Sequence, residues 1–362
     1  MAYPESAGFR EYRAQGWRGG RARNRAVEVF RRKTWIALAA TLAGALALGS
    51  ASVAHAQSSL FGGGRLTATG GVSAVDGSAG GGINPWAMIA GYGTNRQIGG
   101  SVFYTHIALP NYGLNAYGAT IGLFDRVELS YARQGFSLGN TGPQLDGAIA
   151  GFFGAPVSAL PGPLQFGGNY TFNQGILGVK VRLFGDIVYD QGSLLPEVSI
   201  GMHYHHSENA RTIRALGAHP DGSTFYIAAS KLFLDGLFGR YTFVNFDLDF
   251  TDANQNGLLG FGGLAPNGSY RDQYHVEPAF SVAQFITRDV AIGYEFRAMP
   301  QNQLVGYNAL GDAVSRTSDW QDVFVAWFPV KSVSVTAAYT RLGTIVSEPN
   351  QNGFYFSVSA SF

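Results

Sequence analysis

Residues 353–362 read G-F-Y-F-S-V-S-A-S-F, and this stretch decides the fold class. Successive side chains of a β-strand point to opposite faces. One face therefore carries Phe354, Phe356, Val358, Ala360 and Phe362, and the other carries Tyr355, Ser357, Ser359 and Ser361. Alternation of apolar and polar residues over about ten residues is typical of a strand in an outer-membrane barrel. We therefore predict an all-β, antiparallel transmembrane β-barrel.

The same alternation recurs along the chain. Gly175–Phe184, for example, sets Leu177 and Val179 against Lys180 and Arg182. Twelve strands are predicted at residues 97–109, 114–123, 126–134, 175–184, 196–206, 224–234, 239–250, 273–286, 290–298, 320–328, 332–342 and 353–362. The Gly-rich opening 57–82 adds either a first strand or a plug or linker, and 83–92 reads as a further strand. Even numbers are expected, so the barrel has about 12–14 strands, and we favour 14.

Connection lengths alternate as they do in outer-membrane barrels, which have short periplasmic turns and long extracellular loops. Short connections are predicted at 124–126, 234–239, 287–289 and 329–331. Long ones are predicted at 135–173, 207–223, 251–272, 299–319 and 343–352, and the segment 185–195 is a long exception on the short side. The alternation places a periplasmic C-terminus beside the short turns.

Composition supports the same class. The chain has 362 residues, of which 50 are Gly, 14% are charged and none is Cys. Soluble domains are about 25% charged, so the charge content is low. Beyond the N-terminus no run reaches the roughly 18 apolar residues of a membrane helix. Only helices and closed barrels satisfy the backbone in lipid, which leaves the barrel.

The N-terminus is expected to be a targeting segment. Arg31-Arg32-Lys33 is a basic region, Trp35–Leu48 is apolar, and Ala54-His55-Ala56 is a cleavage site. We predict that residues 1–56 are removed near Ala56/Gln57, with an uncleaved inner-membrane anchor as the alternative, and that 57–362 form the barrel. Subtracting the nine Lys/Arg and three Asp/Glu of residues 1–56 from totals of 25 and 24 leaves a net charge of −5. No basic patch suggests nucleic acid.

Three stretches carry a resemblance to a known family. They are G-G-V-S-A-V-D-G-S-A-G-G-G-I-N-P-W-A-M-I-A-G-Y-G-T at 70–94, G-L-F-D-R-V-E-L-S-Y-A-R-Q at 122–134 and V-K-V-R-L-F-G-D-I-V-Y-D at 179–190. The chain resembles an uncharacterised family of proteobacterial outer-membrane proteins. The resemblance implies a barrel in the outer membrane of a Gram-negative cell and supplies no catalytic residues.

Ionisable side chains on the polar faces of the strands are the candidate lumen lining. They are Arg126, Glu128, Lys180, Arg182, Glu197, His203, His205, Asp247, Asp249, His275, Glu277, Glu295 and Arg297. One interpretation is a charged lining that biases which solutes pass. The other is a set of ion pairs that fills a narrow barrel. Both signs are interspersed, so we expect no strong ion selectivity.

A metal site is the sharper alternative for the histidines. His203 and His205 share a strand face, and His275 or Glu277 is available as a third ligand. Zinc sites usually have a fuller ligand set, so we expect hydrophilic lining, with no metal and no cofactor.

The predicted function is passive passage or uptake of small molecules. The connection 135–172 is unusually apolar, and we expect it to fold into or over the barrel mouth and to favour hydrophobic or aromatic solutes. The alternative is a structural or adhesive protein with a filled barrel. A hydrolase in which Asp247, Asp249 and His205 meet across the lumen is a third hypothesis, and we expect the protein not to be an enzyme. Expected partners are outer-membrane lipids, a small solute of unknown identity, and the barrel-assembly machinery, which we expect to recognise Phe362.

Overall fold

The computed structural model describes residues 60–61, 63–70, 72–159, 164–264, 270–271, 273–302, 304, 316–346 and 348–362. Residues 1–59 lie outside the described residues, and with them the predicted signal peptide and its cleavage point near Ala56/Gln57.

Twelve antiparallel strands form a closed barrel. They are β1 (Ile98–Ala108), β2 (Gly113–Leu123), β3 (Val127–Ser137), β4 (Thr171–Phe184), β5 (Glu197–Ser207), β6 (Asp221–Phe233), β7 (Thr242–Thr251), β8 (His275–Phe285), β9 (Val290–Arg297), β10 (Trp320–Val330), β11 (Val333–Arg341) and β12 (Asn352–Ser361). Each strand pairs with its neighbour in the chain, and β12 closes the barrel on β1 from Ser101↔Ser361 to Ala108↔Phe354.

Short elements lie in the connections. Helices α1 (Thr141–Phe153) and α2 (Ala210–Ala215) follow β3 and β5, and 3-10 turns occur at Val157–Ala159 and Leu237–Gly239. Gly263–Leu264 pairs with Tyr270–Arg271 in a separate two-stranded ladder. Within the described residues, no helix has the length and apolar character needed to cross a membrane.

The alternation of side chains explains why the barrel closes. On β4, Leu177 is 56% exposed, whereas Lys180 is 1% exposed. On β12, Phe354 is 70% exposed and the next residue, Tyr355, is 1% exposed. Closure pairs every strand edge, and the outer surface is apolar while the interior holds the polar side chains. These are the properties of a transmembrane barrel.

The two ends of the barrel differ in connection length. The turns after β2, β6, β8 and β10 are short, and the remaining connection on that side is 185–196. The β2–β3 turn has two central residues, Phe124 and Asp125, both with positive φ (55° and 51°), as a type I′ hairpin requires. We call this side the turn end. The opposite side, which we call the loop end, carries all the long predicted loops.

The favoured count of fourteen strands is wrong, and the structure has twelve. Residues 72–82 of the Gly-rich opening and the predicted strand 83–92 are buried inside the barrel, whereas Leu60 and Phe61 at the start of the opening are exposed. Pro85 has no amide to donate, and it forms only an isolated bridge with Gly80 of the same segment. Ile83, Trp86 and Ile89 are buried within the lumen, so their apolar character reflects packing inside the barrel and not contact with lipid.

The apolar connection after β3 is folded. Leu145 and Ile149 of α1 are buried, and the Asp146 carboxylate accepts hydrogen bonds from the amides of Phe166 and Gly167. Residues 160–163 of this connection lie outside the described part of the chain. The prediction that the connection favours hydrophobic solutes stays a prediction.

The lipid-facing surface gives a direct test of membrane placement. Leu177→Arg puts a charge in the middle of β4 on the outer face, where we expect a loss of about 2–4 kcal/mol in unfolding free energy. Phe124→Arg is the matched control, since Phe124 is similarly exposed (47%) but lies in a turn, where the expected cost is about 0–1 kcal/mol. Unfolding in lipid bilayers, followed by gel mobility, measures both. Equal costs would contradict the assignment.

Candidate functional site

The candidate site is the barrel lumen. Residues 72–92 are buried inside it and belong to the segment 63–97, which is exposed towards its ends at Gly63, Leu66, Asn95 and Arg96. We call this segment the plug. It folds through tight turns of its own: Ala74 N donates to Ser78 O, and Val75 N donates to Gly82 O, each at 3.0 Å. Gly77 stands at the first turn with φ +99°, a conformation open to glycine at little cost. The remaining polar groups of the plug backbone are buried and need partners from the barrel wall.

Glu128 and Lys180 hold two separate points of the plug. Glu128 accepts hydrogen bonds from the amides of Ala79 (3.0 Å) and Ala90 (2.8 Å). Lys180 Nζ donates to the carbonyls of Ala79 and Met88, both at 2.9 Å. The two side chains, each 1% exposed, also form a salt bridge of 3.1 Å. The two side chains act as a clamp on the plug backbone. Their charged groups are hydrogen-bonded to that backbone and paired with each other.

Glu295 holds the glycine run. Its Oε2 accepts from the amides of Gly82 (2.6 Å) and Ile83 (3.0 Å), and its Oε1 accepts from the Ser281 hydroxyl at 2.7 Å. A Cβ on Gly81 would lie 1.9 Å from Glu295 Oε1. A side chain at residue 81 would therefore force either the Glu295 carboxylate or the plug backbone to move, and either movement would disturb the bonds between them.

Asp76 lies at the centre of a second charged group. Its Oδ2 is 3.6 Å from His203 Nδ1 and 3.9 Å from the Arg297 guanidinium. Arg297 also pairs with Asp249 at 2.9 Å and donates to the Ile83 carbonyl at 2.8 Å. Burial alone would raise the pKa of the Asp76 carboxyl, but His203, Arg297 and hydrogen bonds from Ser78 outweigh burial and lower that pKa. The plug thus places a carboxylate beside the Arg297 guanidinium of the wall.

Neutral side chains fix the middle of the plug. Asn84 Nδ2 donates to the carbonyls of Phe280 and Phe296, both at 3.0 Å. Trp86 Nε1 donates to the Ser281 hydroxyl at 3.0 Å, and its ring packs 4.2 Å from that of Phe243. Further bonds to the plug backbone come from Thr120, Gln134, Ser199, Ser230 and Asn245.

An ionic cluster lies at the turn end. Asp125, from the β2–β3 turn, contacts Arg65 of the plug at 2.9 Å and also pairs with Arg182 of β4. Arg182 lies 3.4 Å from Glu197. The plug also contacts the last residue of the chain, because the amide of Tyr92 donates to the Phe362 carbonyl at 2.8 Å.

At the loop end, residues 252–262 enter the interior. Leu258, Leu259 and Phe261 of this segment are buried, and the Phe261 ring lies 5.3 Å from that of His205. Gln174 of the wall donates to the Asn256 carbonyl at 3.2 Å. Sequence reasoning treated 251–272 as an ordinary loop. The signal was present in Gly257, Leu258, Leu259, Gly260, Phe261 and Gly262, which is apolar and Gly-rich like the plug.

The predicted site residues do not all share the lumen. Arg126 is exposed and donates to the carbonyls of Arg182 and Leu183 at the turn end. His275 and Glu277 lie on β8, which β6 and β7 separate from His203 and His205 on β5, so the four do not converge. Within the described residues, no group of three His, Cys, Asp or Glu is arranged to hold a metal ion.

The structure does not bring His205, Asp247 and Asp249 into a catalytic arrangement such as the hydrolase hypothesis requires. His205 contacts the Gln174 amide oxygen at 3.2 Å, while Asp249 pairs with Arg297 and Asp247 accepts from Asn245. Residues 135–139 do carry the G-x-S-x-G spacing of a serine nucleophile, which the sequence reasoning missed. Ser137 accepts a 3.3 Å hydrogen bond from the Gly139 amide, and in the described residues no histidine is hydrogen-bonded to it.

A closed barrel with an apolar outer face and a glycine-rich segment bonded inside it defines a plugged β-barrel of the outer-membrane type. The chain belongs to the family described as protein of unknown function (DUF3034), which it matches over residues 69–359. The resemblance found in the sequence is thereby confirmed. No curated protein matches the chain.

Several solved barrels are similar in structure. The NanC porin is 10% identical, with a TM-score of 0.40 over 73% of this chain and 98% of the porin. The KdgM porin is 9% identical, with a TM-score of 0.40 over 72% and 99%. The COG4313 outer membrane channel from Pseudomonas putida F1 is 13% identical, with a TM-score of 0.37 over 77% and 96%. Likeness at this level carries no argument about solute or activity.

Because Glu295 lies so close to Gly81, we predict that adding one methyl group at residue 81 displaces the plug. In Gly81→Ala we expect the plug to leave Glu295, because Cβ and Oε1 cannot both keep their positions. A cysteine placed at Ser73, in a chain without other cysteines, then reacts faster with a water-soluble maleimide. Gly63→Ala is the control within the plug, since its Cβ would meet its nearest atom at 3.7 Å. Equal labelling of both variants would show that the plug is not held at Glu295.

The Glu128–Lys180 clamp predicts strong non-additivity. Lys180→Met leaves a buried carboxylate without its cation, and we expect a loss of about 3–5 kcal/mol in unfolding free energy. The double variant Glu128→Gln with Lys180→Met is expected to lose less than Lys180→Met alone, because no charge remains unpaired. Denaturant titration of the four proteins measures the coupling. Additive losses would mean that the two charges do not depend on each other.

Proposed function

We propose that the protein is a plugged channel of the outer membrane, which takes up small molecules when the plug moves within the lumen. The supporting observation is the way the plug is held. Wall side chains bond mainly to its backbone, as at Glu128, Lys180 and Glu295. When the plug shifts, water can replace these backbone bonds and solvate the wall charges that it leaves behind, and the side-chain contacts of Asn84 and Trp86 with the wall must separate as well.

Passage through the lumen requires a polar wall, and the inner faces of several strands supply one. Ser199, Ser230 and Asn245 are buried inside the barrel alongside the charged groups. A wall of hydroxyls, amides and paired charges suits an aqueous path better than a permanently dry interior. A non-enzymatic role is part of the proposal.

Placement and assembly complete the proposal. We infer that residues 1–56 are removed near Ala56/Gln57 and that the mature chain enters the barrel from the periplasm. Phe61 lies beside Ile98 at the turn end, which is the side of the short turns. Phe362 is 46% exposed at the same end, where it is available to the barrel-assembly machinery.

The alternative is a structural barrel that the plug closes permanently. The density of buried bonds favours it: Glu128, Lys180, Glu295 and Arg297 are each bonded to the plug. The two functions differ in one property, the movement of the plug.

A reversible lock tests that movement. The hydroxyl oxygens of Ser73 in the plug and Ser101 in β1 lie 3.4 Å apart, so Ser73→Cys with Ser101→Cys is expected to form a disulfide. We expect stable conductance steps from the mature protein in planar bilayers, loss of these steps in the oxidised double variant, and their return on reduction. Ser73→Cys alone is the control for the substitution itself.

Each result decides between the two functions. A wild-type barrel that is heat-modifiable on gels but silent at all voltages supports the structural alternative. Steps that persist in the oxidised variant would place the conducting path beside a stationary plug, and the proposed movement would be wrong.

A further inference from the structure

A cleft lies on the outer surface of the barrel at the turn end, where the connection between β6 and β7 meets β8 and β9. We call it the outer cleft. Its volume is about 530 Å³, and it opens to the surroundings of the barrel. This volume falls within the range of small-molecule sites, about 300–1,000 Å³. The residues that line it are Phe238, Arg240, Gln284, Phe285, Ile286 and Ile292.

The β6–β7 connection forms one side of the cleft because it folds back over the outer face of the barrel. Gln284 Nε2 donates to the Leu237 carbonyl at 2.6 Å, and the Leu237 amide donates to the Thr242 hydroxyl at 2.9 Å. Thr242 is buried, although it has the same strand parity as the exposed, outward residue Val244. The 3-10 turn at Leu237–Gly239 is thus held against the barrel wall.

Phe238, in the middle of that turn, is not explained by packing within the protein. It is 90% exposed, and its backbone has a φ of 56°. A positive φ is an outlier for a bulky residue, and such strain is found at ligand-binding sites more often than elsewhere. Because so little of Phe238 contacts the barrel, a molecule in the cleft is the partner that its ring has available.

The floor of the cleft is apolar and lies at the level of the membrane interface. Ile286 and Ile292 are both exposed large hydrophobic residues. Ile292 pairs with Val325 of β10, and Val290, two residues nearer the turn, pairs with the exposed Trp327. Trp is enriched where lipid headgroups meet water. The cleft therefore extends from the headgroup level, near the turn, towards the acyl chains at Ile292.

Arg240 gives the cleft its charge. Its Nη1 donates to the Ile286 carbonyl, which fixes the guanidinium beside the apolar floor. Asp235 and Asp289 lie in the same two connections, yet within the described residues Arg240 forms no salt bridge, and none of the six lining residues is acidic. A guanidinium has five N–H donors, so others remain for a ligand, and Arg commonly binds phosphate through two of them.

We propose that the outer cleft binds one anionic phospholipid, with its phosphate at Arg240 and its acyl chains along Phe238 and Ile292. A fixed cation beside an exposed apolar floor matches the two parts of such a lipid, and basic pockets at membrane surfaces recognise lipid headgroups in this way. Short turns of outer-membrane barrels face the periplasm, so the lipid belongs to the periplasmic leaflet. The inference goes beyond the channel function, because it requires no movement of the plug.

Counting the bound lipids tests the site. The mature protein is reconstituted in nanodiscs of phosphatidylcholine that contain a minor fraction of phosphatidylglycerol with the same acyl chains. The barrel is then released into a mild detergent, and the lipids that stay bound are identified by native mass spectrometry. We expect one phosphatidylglycerol per barrel, enriched over its share of the mixture. Phosphatidylcholine is the internal control for lipid that is retained without recognition.

Two pairs of variants locate the lipid. Arg240→Gln is expected to reduce retention of phosphatidylglycerol at least about tenfold, as for the loss of a hydrogen bond to a charged group. Arg126→Gln is the matched control, since Arg126 is also exposed at the turn end and bonded to backbone carbonyls but lies outside the cleft. Ile292→Trp fills the apolar part and is expected to reduce retention, whereas Val325→Trp, on the neighbouring strand, is expected to leave it unchanged.

Each outcome decides for or against the site. Phosphatidylglycerol retained only in proportion to the mixture, or equally by Arg240→Gln and the wild type, would overturn the proposal. So would an equal loss in Arg126→Gln, which would show a general effect of charge, or a preference for lipid A when both lipids are supplied, which would contradict the leaflet. If Arg240→Gln gives no heat-modifiable barrel, the comparison of Ile292→Trp with Val325→Trp decides. A barrel that retains the lipid but never conducts would support the site and refute only the channel.

Discussion

The structure depends on one constraint, which is that backbone polar groups removed from water must find hydrogen-bond partners. In lipid the twelve strands satisfy it for one another by closing into a barrel. The plug meets the same constraint by other means, because little of it lies in a ladder. Its amides and carbonyls are paired with side chains of the wall, notably Glu128, Lys180 and Glu295. The main role of the charged side chains inside the barrel is thus to form hydrogen bonds with the plug backbone.

That constraint also explains the composition of the plug. A carboxylate reaches a backbone amide only where nothing projects between them, and Gly81 beside Glu295 shows how little room remains. Glycine supplies the space, and the turns it permits bring separate amides, such as those of Ala79 and Ala90, to one carboxylate. The cost is conformational entropy, since glycine loses more freedom on folding than other residues. Buried charge-assisted hydrogen bonds offset that cost.

The sequence predicts the wall well and the interior poorly. Alternation identified all twelve strands, because a barrel strand has a lipid face and a lumen face, and that pattern is local. It failed at 83–92, where Ile83, Trp86 and Ile89 are apolar because the lumen surrounds them. The apolar character of one short stretch indicates that it is removed from water, but it does not distinguish contact with lipid from burial inside the barrel. Glu128 and Lys180 were placed on the correct face of their strands, but their partners lie about 40–100 residues away and leave no local pattern.

The same limitation applies to the inward apolar residues at the turn end. Along β10, Phe324 and Phe328 alternate with Val323, Val325 and Trp327, so the segment reads as uniformly apolar and hides its two faces. Only closure of the barrel shows that two of these rings point away from lipid, towards Trp86. The patch gives the plug an apolar surface to pack against, with the Trp86 ring 4.2 Å from that of Phe243.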